Sequence, residues 1–248
     1  MRFAETSRRT ESKAMAVFRT SLGAAALVAV LTSAAHSQTF IDARRASVVV
    51  STRATAIERQ AARMLTEEAA KRGAFWKVAT KAPDDSAVVY LGTTNRMPAG
   101  APTAAMHTAP SAEGYSLTIS RKRTRTLVTA RGSDERGCMF AAGHILRILR
   151  WGDGHIRLPI LSVSTAPKEP LRGHQLGWRP TANSYDRWGL KEFEQYIRDL
   201  IVWGTNAIEL IPFDDAYDRE ANTKFTCALA DLIASYGLQV WLWYPLDD

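Results

Sequence analysis

Residues 190–210 read LKEFEQYIRDLIVWGTNAIEL, and residues 222–244 read NTKFTCALADLIASYGLQVWLWY. In the first stretch Phe193, Tyr196, Ile197, Leu200 and Ile201 recur at three- and four-residue spacing, which builds one apolar helix face over 190–203. Gly204 follows as a stop, and 207–211 (AIELI) is a short apolar run of strand type. The second stretch repeats the pattern. Phe225, Leu229, Leu232 and Ile233 line a helix over 222–236, Gly237 stops it, and 238–244 (LQVWLWY) is a strand. A further short strand is expected upstream, over 173–178. Strands alternating with helices at this spacing are βα units of a parallel sheet. Residues 171–248 are therefore expected to form the first three βα units of a (β/α)8 TIM barrel, left incomplete because a whole barrel takes roughly 250 residues.

Working outward, residues 45–165 read as a small α/β domain of sheet plus helices. A β-branched run at 46–51 (ASVVVS) and another apolar run at 87–91 (AVVYL) have the signature of buried strands. Between them Ile57, Ala61, Met64, Leu65 and Ala69 form an apolar helix face over 55–72, with Gly73 as the stop. Three prolines make 97–110 a loop. Tyr115, Leu117 and Ile119 alternate with Ser116, Thr118 and Ser120, a strand with one wet face. It is expected to pair with 126–130 through a basic turn, Arg121-Lys122-Arg123-Thr124-Arg125. Gly132-Ser133-Asp134 supplies an N-cap to a helix over 135–150 that is expected to bury Phe140, Ile145, Ile148 and Leu149.

The chain has 248 residues, 46% hydrophobic and 23% charged, an ordinary globular composition that excludes collagen-like, disordered and multi-span membrane classes. Two cysteines exclude a disulfide-rich scaffold and a four-cysteine zinc site. Cys138 and Cys227 are expected as buried free thiols in different helices rather than as a bridge. The net charge of +7 is uneven: residues 1–37 sum to +3, 38–168 to +10 and 169–248 to −6. Such asymmetry suggests two units with different surfaces. The basic half raises nucleic acid as a partner. However, the charges at 121–125 lack a neighbouring aromatic for base stacking, so a solvated turn is the preferred reading and no nucleic-acid partner is expected.

At the N-terminus a basic, polar stretch precedes the run LGAAALVAVL at 22–31, and Ala35-His36-Ser37 supplies small residues where a signal peptidase cuts. Ten apolar residues rise about 15 Å, half of a bilayer core, so 1–37 is expected to be a signal peptide and not a stable span. Ser7-Arg8-Arg9 resembles a twin-arginine signal, but Glu11 and Ser12 stand where that motif has apolar residues. Export to a periplasm or beyond is expected.

In a parallel βα sheet the chemistry lies at the strand C-termini. Trp178, Arg179, Asn183, Tyr185, Asp186 and Trp188 follow the first strand, Pro212, Phe213, Asp214 and Asp215 the second, and Pro245, Asp247 and Asp248 the third, which itself carries Trp243. Carboxylates and an Arg orient hydroxyls while flat aromatic faces cover the C–H side of a pyranose, so this set fits a sugar pocket. The competing reading is structural, with Asp after Pro as turn chemistry and Trp178 or Trp243 as barrel core. His107 and His144 have no partner at metal-ligand spacing. With no phosphate-binding glycine loop either, neither a metal nor a cofactor is expected.

Three stretches carry a resemblance to a known family. Residues 136–146 (RGCMFAAGHIL), the run Leu171-Arg172-Gly173, and Asn206 followed by Asp214-Asp215 are similar to motifs of family 20 glycoside hydrolases, the β-N-acetylhexosaminidases. The related α-glucuronidases share the small α/β domain placed before the barrel, and Tyr196-Ile197-Arg198-Asp199 with Gly204-Thr205-Asn206 leans toward their pattern. The resemblance implies an exported hydrolase of O-glycosidic bonds. Arg179, Asp214 and Asp215 would line its sugar pocket, with Trp178, Tyr185 and Trp243 as aromatic walls. Departures are Gly177 where the family has Asp, Arg179 one residue early, and Glu209 and Ile211 in place of two His. The family's catalytic Asp-Glu pair ends the fourth barrel strand and would lie beyond Asp248, so no catalytic residue is assigned and this length of chain is expected to be inactive alone. An α-glucuronidase-like hydrolase and a non-catalytic sugar-binding protein are the alternatives.

Overall fold

The computed structural model describes residues 39–83, 87–102, 111–176, 187–210 and 219–242, all within one compact unit spanning Gln38–Asp248. Its first part runs β1 (Phe40–Asp42), β2 (Arg45–Val49), α1 (Ala56–Lys71), β3 (Phe75–Ala79), β4 (Ala87–Thr93), β5 (Tyr115–Lys122), β6 (Arg125–Gly132), α2 (Glu135–Ile148), β7 (Arg150–Gly152), β8 (His155–Pro159) and β9 (Leu161–Thr165). A six-stranded sheet has the order β3-β2-β4-β6-β5-β9. Its first four strands are parallel, while β5 is antiparallel to both β6 and β9. A small antiparallel sheet, β1-β8-β7, stands apart from it.

Side-chain alternation explains the packing. Ala46, Val48, Val89, Leu91, Val128 and Ala130 share a core with Met64 and Leu65 of α1 and Met139 and Ile145 of α2. Both helices start at built caps. Thr55 Oγ1 accepts from Glu58 N while Glu58 reaches back to Thr55 N, and Asp134 Oδ1 accepts from Gly137 N at 2.8 Å. A Cβ on Gly137 would come within 2.2 Å of the Gly114 carbonyl oxygen, so α2 approaches the loop before β5 as closely as backbone allows.

The second part runs β10 (Gly173–Gln175), α3 (Leu190–Val202), β11 (Ala207–Leu210), α4 (Arg219–Ser235) and β12 (Gln239–Leu242). The three strands are parallel in the order β10-β11-β12. Gly204 and Gly237 take φ of +91° and +75°, left-handed conformations that close each helix and turn the chain into the next strand. Phe193, Ile197 and Ile201 of α3 and Leu229 and Ile233 of α4 bury themselves against Ile208 and Leu210 and join the core that α1 and α2 use.

Several expectations are corrected. The basic turn shrinks to Arg123 and Thr124, because Arg121 and Lys122 extend β5, Arg125 begins β6, and Lys122 pairs with Arg125. Arg123, at φ +56°, supplies the left-handed residue such a tight turn needs. Ser116 is buried rather than wet. Cys138 is buried, but Cys227 is exposed, since it falls on the outer side of α4; both are free. Strands β1, β3, β7, β8 and β9 were not foreseen. They are short or carry charged residues at alternate positions, so their apolar signal is weak. The expected signal peptide at 1–37 lies outside the described residues, as do His107 and most of the loop at 97–110.

Candidate functional site

The register of the parallel arc aligns Gly173 with Ala207 and Gln239, His174 with Ile208 and Val240, and Gln175 with Glu209 and Trp241. Because side chains alternate along a strand, the rows face opposite ways. The middle row faces the helices. There Ile208 is fully buried and the Tyr196 hydroxyl of α3 meets His174 Nε2 at 2.7 Å. Trp188, expected among the pocket residues after the first strand, instead packs edge-on against both Tyr196 and Phe193 at 5.4 Å, which places it in the helix layer. Burial pulls His174 below the usual imidazole range. The third row therefore points away from the helices, near the strand C-termini.

That third row holds an amide, a carboxylate and an indole side by side. Gln175 Nε2 donates to Glu209 Oε2 at 2.8 Å. Trp241 is 48% exposed, and its Nε1 donates to Gln239 Oε1 at 3.2 Å. The carboxylate keeps acceptor capacity for a hydroxyl, and the indole face is free to cover the apolar side of a ring.

The foot of the arc is built as firmly as a core. Asn206 Oδ1 accepts from Arg172 N at 2.8 Å, and its Nδ2 donates to the Pro170 carbonyl at 2.7 Å and to Glu113 at 3.0 and 3.1 Å. Glu113 is buried and also takes Arg172 and Arg136, the latter at 3.1 Å. Arg172 Nε donates to the Gly204 carbonyl at 2.6 Å. Arg172 and Asn206, singled out by the resemblance, thus hold the starts of β10 and β11 in register on the sheet behind them.

The six sequence-derived candidates, Trp178, Arg179, Tyr185, Asp214, Asp215 and Trp243, all lie outside the described residues. Each follows the described C-terminal end of one of the three strands in sequence, at Gln175, Leu210 or Leu242. Gln175, Glu209 and Trp241 were missed as a group. Period-two alternation, applied across three strands at once, was the signal that could have found them. Among the described residues no three His, Cys, Asp or Glu side chains converge to hold a metal, and no helix is long and apolar enough to cross a membrane.

No family model matches the chain, and no curated protein matches it. Solved structures do. A GH20 exo-β-N-acetylglucosaminidase from Vibrio harveyi superposes with a TM-score of 0.57 over 83% of this chain and 33% of its own, at 10% identity. CpGH84B does so with a TM-score of 0.56, 12% identity, and coverage of 82% and 34%. The family GH115 4-O-methyl-α-glucuronidase BtGH115A gives a TM-score of 0.53, 15% identity, and coverage of 80% and 29%. The likeness establishes the fold, a mixed α/β architecture that includes part of a barrel. The chain spans about a third of the length of these glycoside hydrolases, and its β10-β11-β12 layer is an arc of their barrel type.

Proposed function

We propose that the chain is part of an exported glycoside hydrolase that cleaves O-glycosidic bonds and is β-N-acetylhexosaminidase-like. The observation that carries this reading is the row Gln175–Glu209–Trp241 near the C-terminal ends of three parallel strands, the end at which barrel enzymes bind substrate. Residues 45–165 would form an accessory α/β domain, 171–248 the start of the barrel, and 1–37 a signal peptide. Glu209 accepts a sugar hydroxyl, Gln175 orients that carboxylate, and Trp241 offers a stacking face. Arg179, Asp214 and Asp215, with Trp178, Tyr185 and Trp243 as walls, would extend the pocket beyond the strand ends. General acid chemistry in such an enzyme needs a protonated carboxylic acid beside the glycosidic oxygen. An α-glucuronidase-like activity is the second reading, supported by the likeness to BtGH115A.

Saturation-transfer NMR on the purified chain, with N-acetylglucosamine and glucuronate as probes, tests the proposal. Transfer to N-acetylglucosamine that falls about tenfold in Trp241→Ala and in Glu209→Gln is expected, a loss typical of one stacking or charged contact. Stronger transfer to glucuronate favours the second reading. Transfer to neither sugar, or transfer untouched by both substitutions, overturns the sugar site.

A further inference from the structure

The basic residues at the β5–β6 hairpin do not stand alone. The fold brings Arg44 and Arg45, at the start of β2, to the same end of the six-stranded sheet, where with Arg121 and Arg125 they line a cleft of about 550 Å³. Small-molecule sites fall in this size range. Phe40 and Asp42 of β1 complete the named walls, and Asp42 is the one acidic side chain among the described residues lining it.

The cleft sits on an ordered frame. Thr126 Oγ1 donates to the Asp42 carbonyl at 3.0 Å, tying β1 to the hairpin. Trp76 Nε1 donates to the Ala43 carbonyl at 2.6 Å, and Phe75 N donates to the Arg44 carbonyl at 2.7 Å. The guanidinium groups therefore hang from fixed strands, not from a loose tip. Elsewhere Arg96, Arg136, Arg172 and Arg198 are each held by a glutamate. Arg44, Arg45 and Arg121 make no ion pair with a described carboxylate. Like charges gathered in one cleft repel, and an anion that enters relieves the repulsion.

The aromatic groups narrow the ligand. Arg44 and Arg45 place their guanidinium carbons 5.8 and 5.0 Å from the centroid of the Phe75 ring, so cations already occupy that exposed face. A single-stranded nucleic acid stacks successive bases on several open aromatic faces, more than this cleft offers. Phe40 instead lines the cleft itself, where it can cover the C–H side of a sugar ring. Arginine forks match planar carboxylates with paired hydrogen bonds.

We propose that this cleft binds an acidic glycan, with Arg45 and Arg121 gripping uronate carboxylates and Phe40 packed on the sugar ring. The cleft shares no residue with the parallel arc, so it and the barrel site stand or fall separately.

Affinity electrophoresis of the full chain tests it, with polygalacturonate, neutral dextran and single-stranded oligodeoxythymidylate as the three matrices. The expected result is retardation by polygalacturonate that weakens as salt rises, with none by dextran. Arg45 and Arg121 are exposed, so the Arg45→Ala/Arg121→Ala pair keeps its fold, checked by an unchanged thermal midpoint, and binds about tenfold more weakly. Arg45→Lys/Arg121→Lys keeps the charge without the fork and is expected to lose part of the affinity. No retardation by polygalacturonate, or full retention by the alanine pair, overturns the site. Undiminished binding by the lysine pair overturns the carboxylate fork. Tighter binding to oligodeoxythymidylate than to polygalacturonate replaces the glycan with a nucleic acid.

Discussion

Glu113 shows how much one side chain can carry. It sits at φ +59°, buried, with Asn206, Arg136 and Arg172 all directed at its carboxylate. Glu113→Gln removes the charge and leaves two guanidinium groups facing a neutral amide. Breaking a buried pair in this way costs about 3 kcal/mol or more, so the variant is expected to unfold at clearly lower urea concentration. An unchanged midpoint would mean that solvent already screens the cluster. Nothing in the residues near position 113 announces this role, because its partners lie 23 to 93 positions away in the chain.

At the scale of elements the local code is strong. Thr55 and Asp134 both cap helices by accepting backbone hydrogen bonds, Gly204 and Gly237 both close them, and all four roles follow from local chemistry. Asp134→Ala is expected to cost about 1 kcal/mol, the usual price of a lost cap, measured as a shift in denaturant midpoint. Asp134 Oδ2 also accepts from Glu113 N at 2.7 Å, so the loss should exceed that of a cap alone. Gly137→Ala is expected to destabilise more than Asp134→Ala, since its methyl would meet the Gly114 carbonyl, a backbone atom that cannot swing away. Equal midpoints for the two variants would refute the close approach.

Across the whole molecule a carboxylate–guanidinium network joins α3, which follows β10 of the parallel arc, to α1, which packs on the six-stranded sheet. Arg198 of α3 donates to Glu67 at 2.6 Å and Glu68 at 3.1 Å on α1, to Glu194 at 2.7 Å, and to the Tyr236 hydroxyl at 2.7 Å. Burial alone would raise the carboxyls of Glu58, Glu68 and Glu194, but their hydrogen bonds outweigh it and hold all three below the ordinary range. Groups so depressed stabilise the fold above about pH 4.5, and that contribution is lost as pH falls through their folded values. His144 acts earlier. Burial, with Arg147 nearby, lowers it from 6.5 to about 4, and its Nδ1 sits 2.8 Å from the Tyr115 hydroxyl. Between these values the unfolded chain binds a proton that the fold refuses, so stability declines as pH drops from 6.5 toward 4. Urea midpoints across that interval should fall in the parent and stay flatter in His144→Gln. Parallel curves would exclude His144 as the cause.

What the sequence determined by itself is local and periodic: the four helices, the cap before α2 and the glycine stops after α1, α3 and α4, the longer apolar strands, and the βα rhythm from Gly173 onward that made a barrel arc legible. Helix periodicity and cap chemistry act within a few residues, so a single chain displays them directly. Tertiary structure decided what depends on distance in the chain. It paired the short, charged strands β1, β7 and β8, whose neighbours supply the hydrogen bonds that their composition does not advertise. It also placed Gln175 beside Glu209 and Trp241, and Arg44 and Arg45 beside Arg121. Those groupings arise from sheet register and strand order, which are set by packing between residues tens of positions apart.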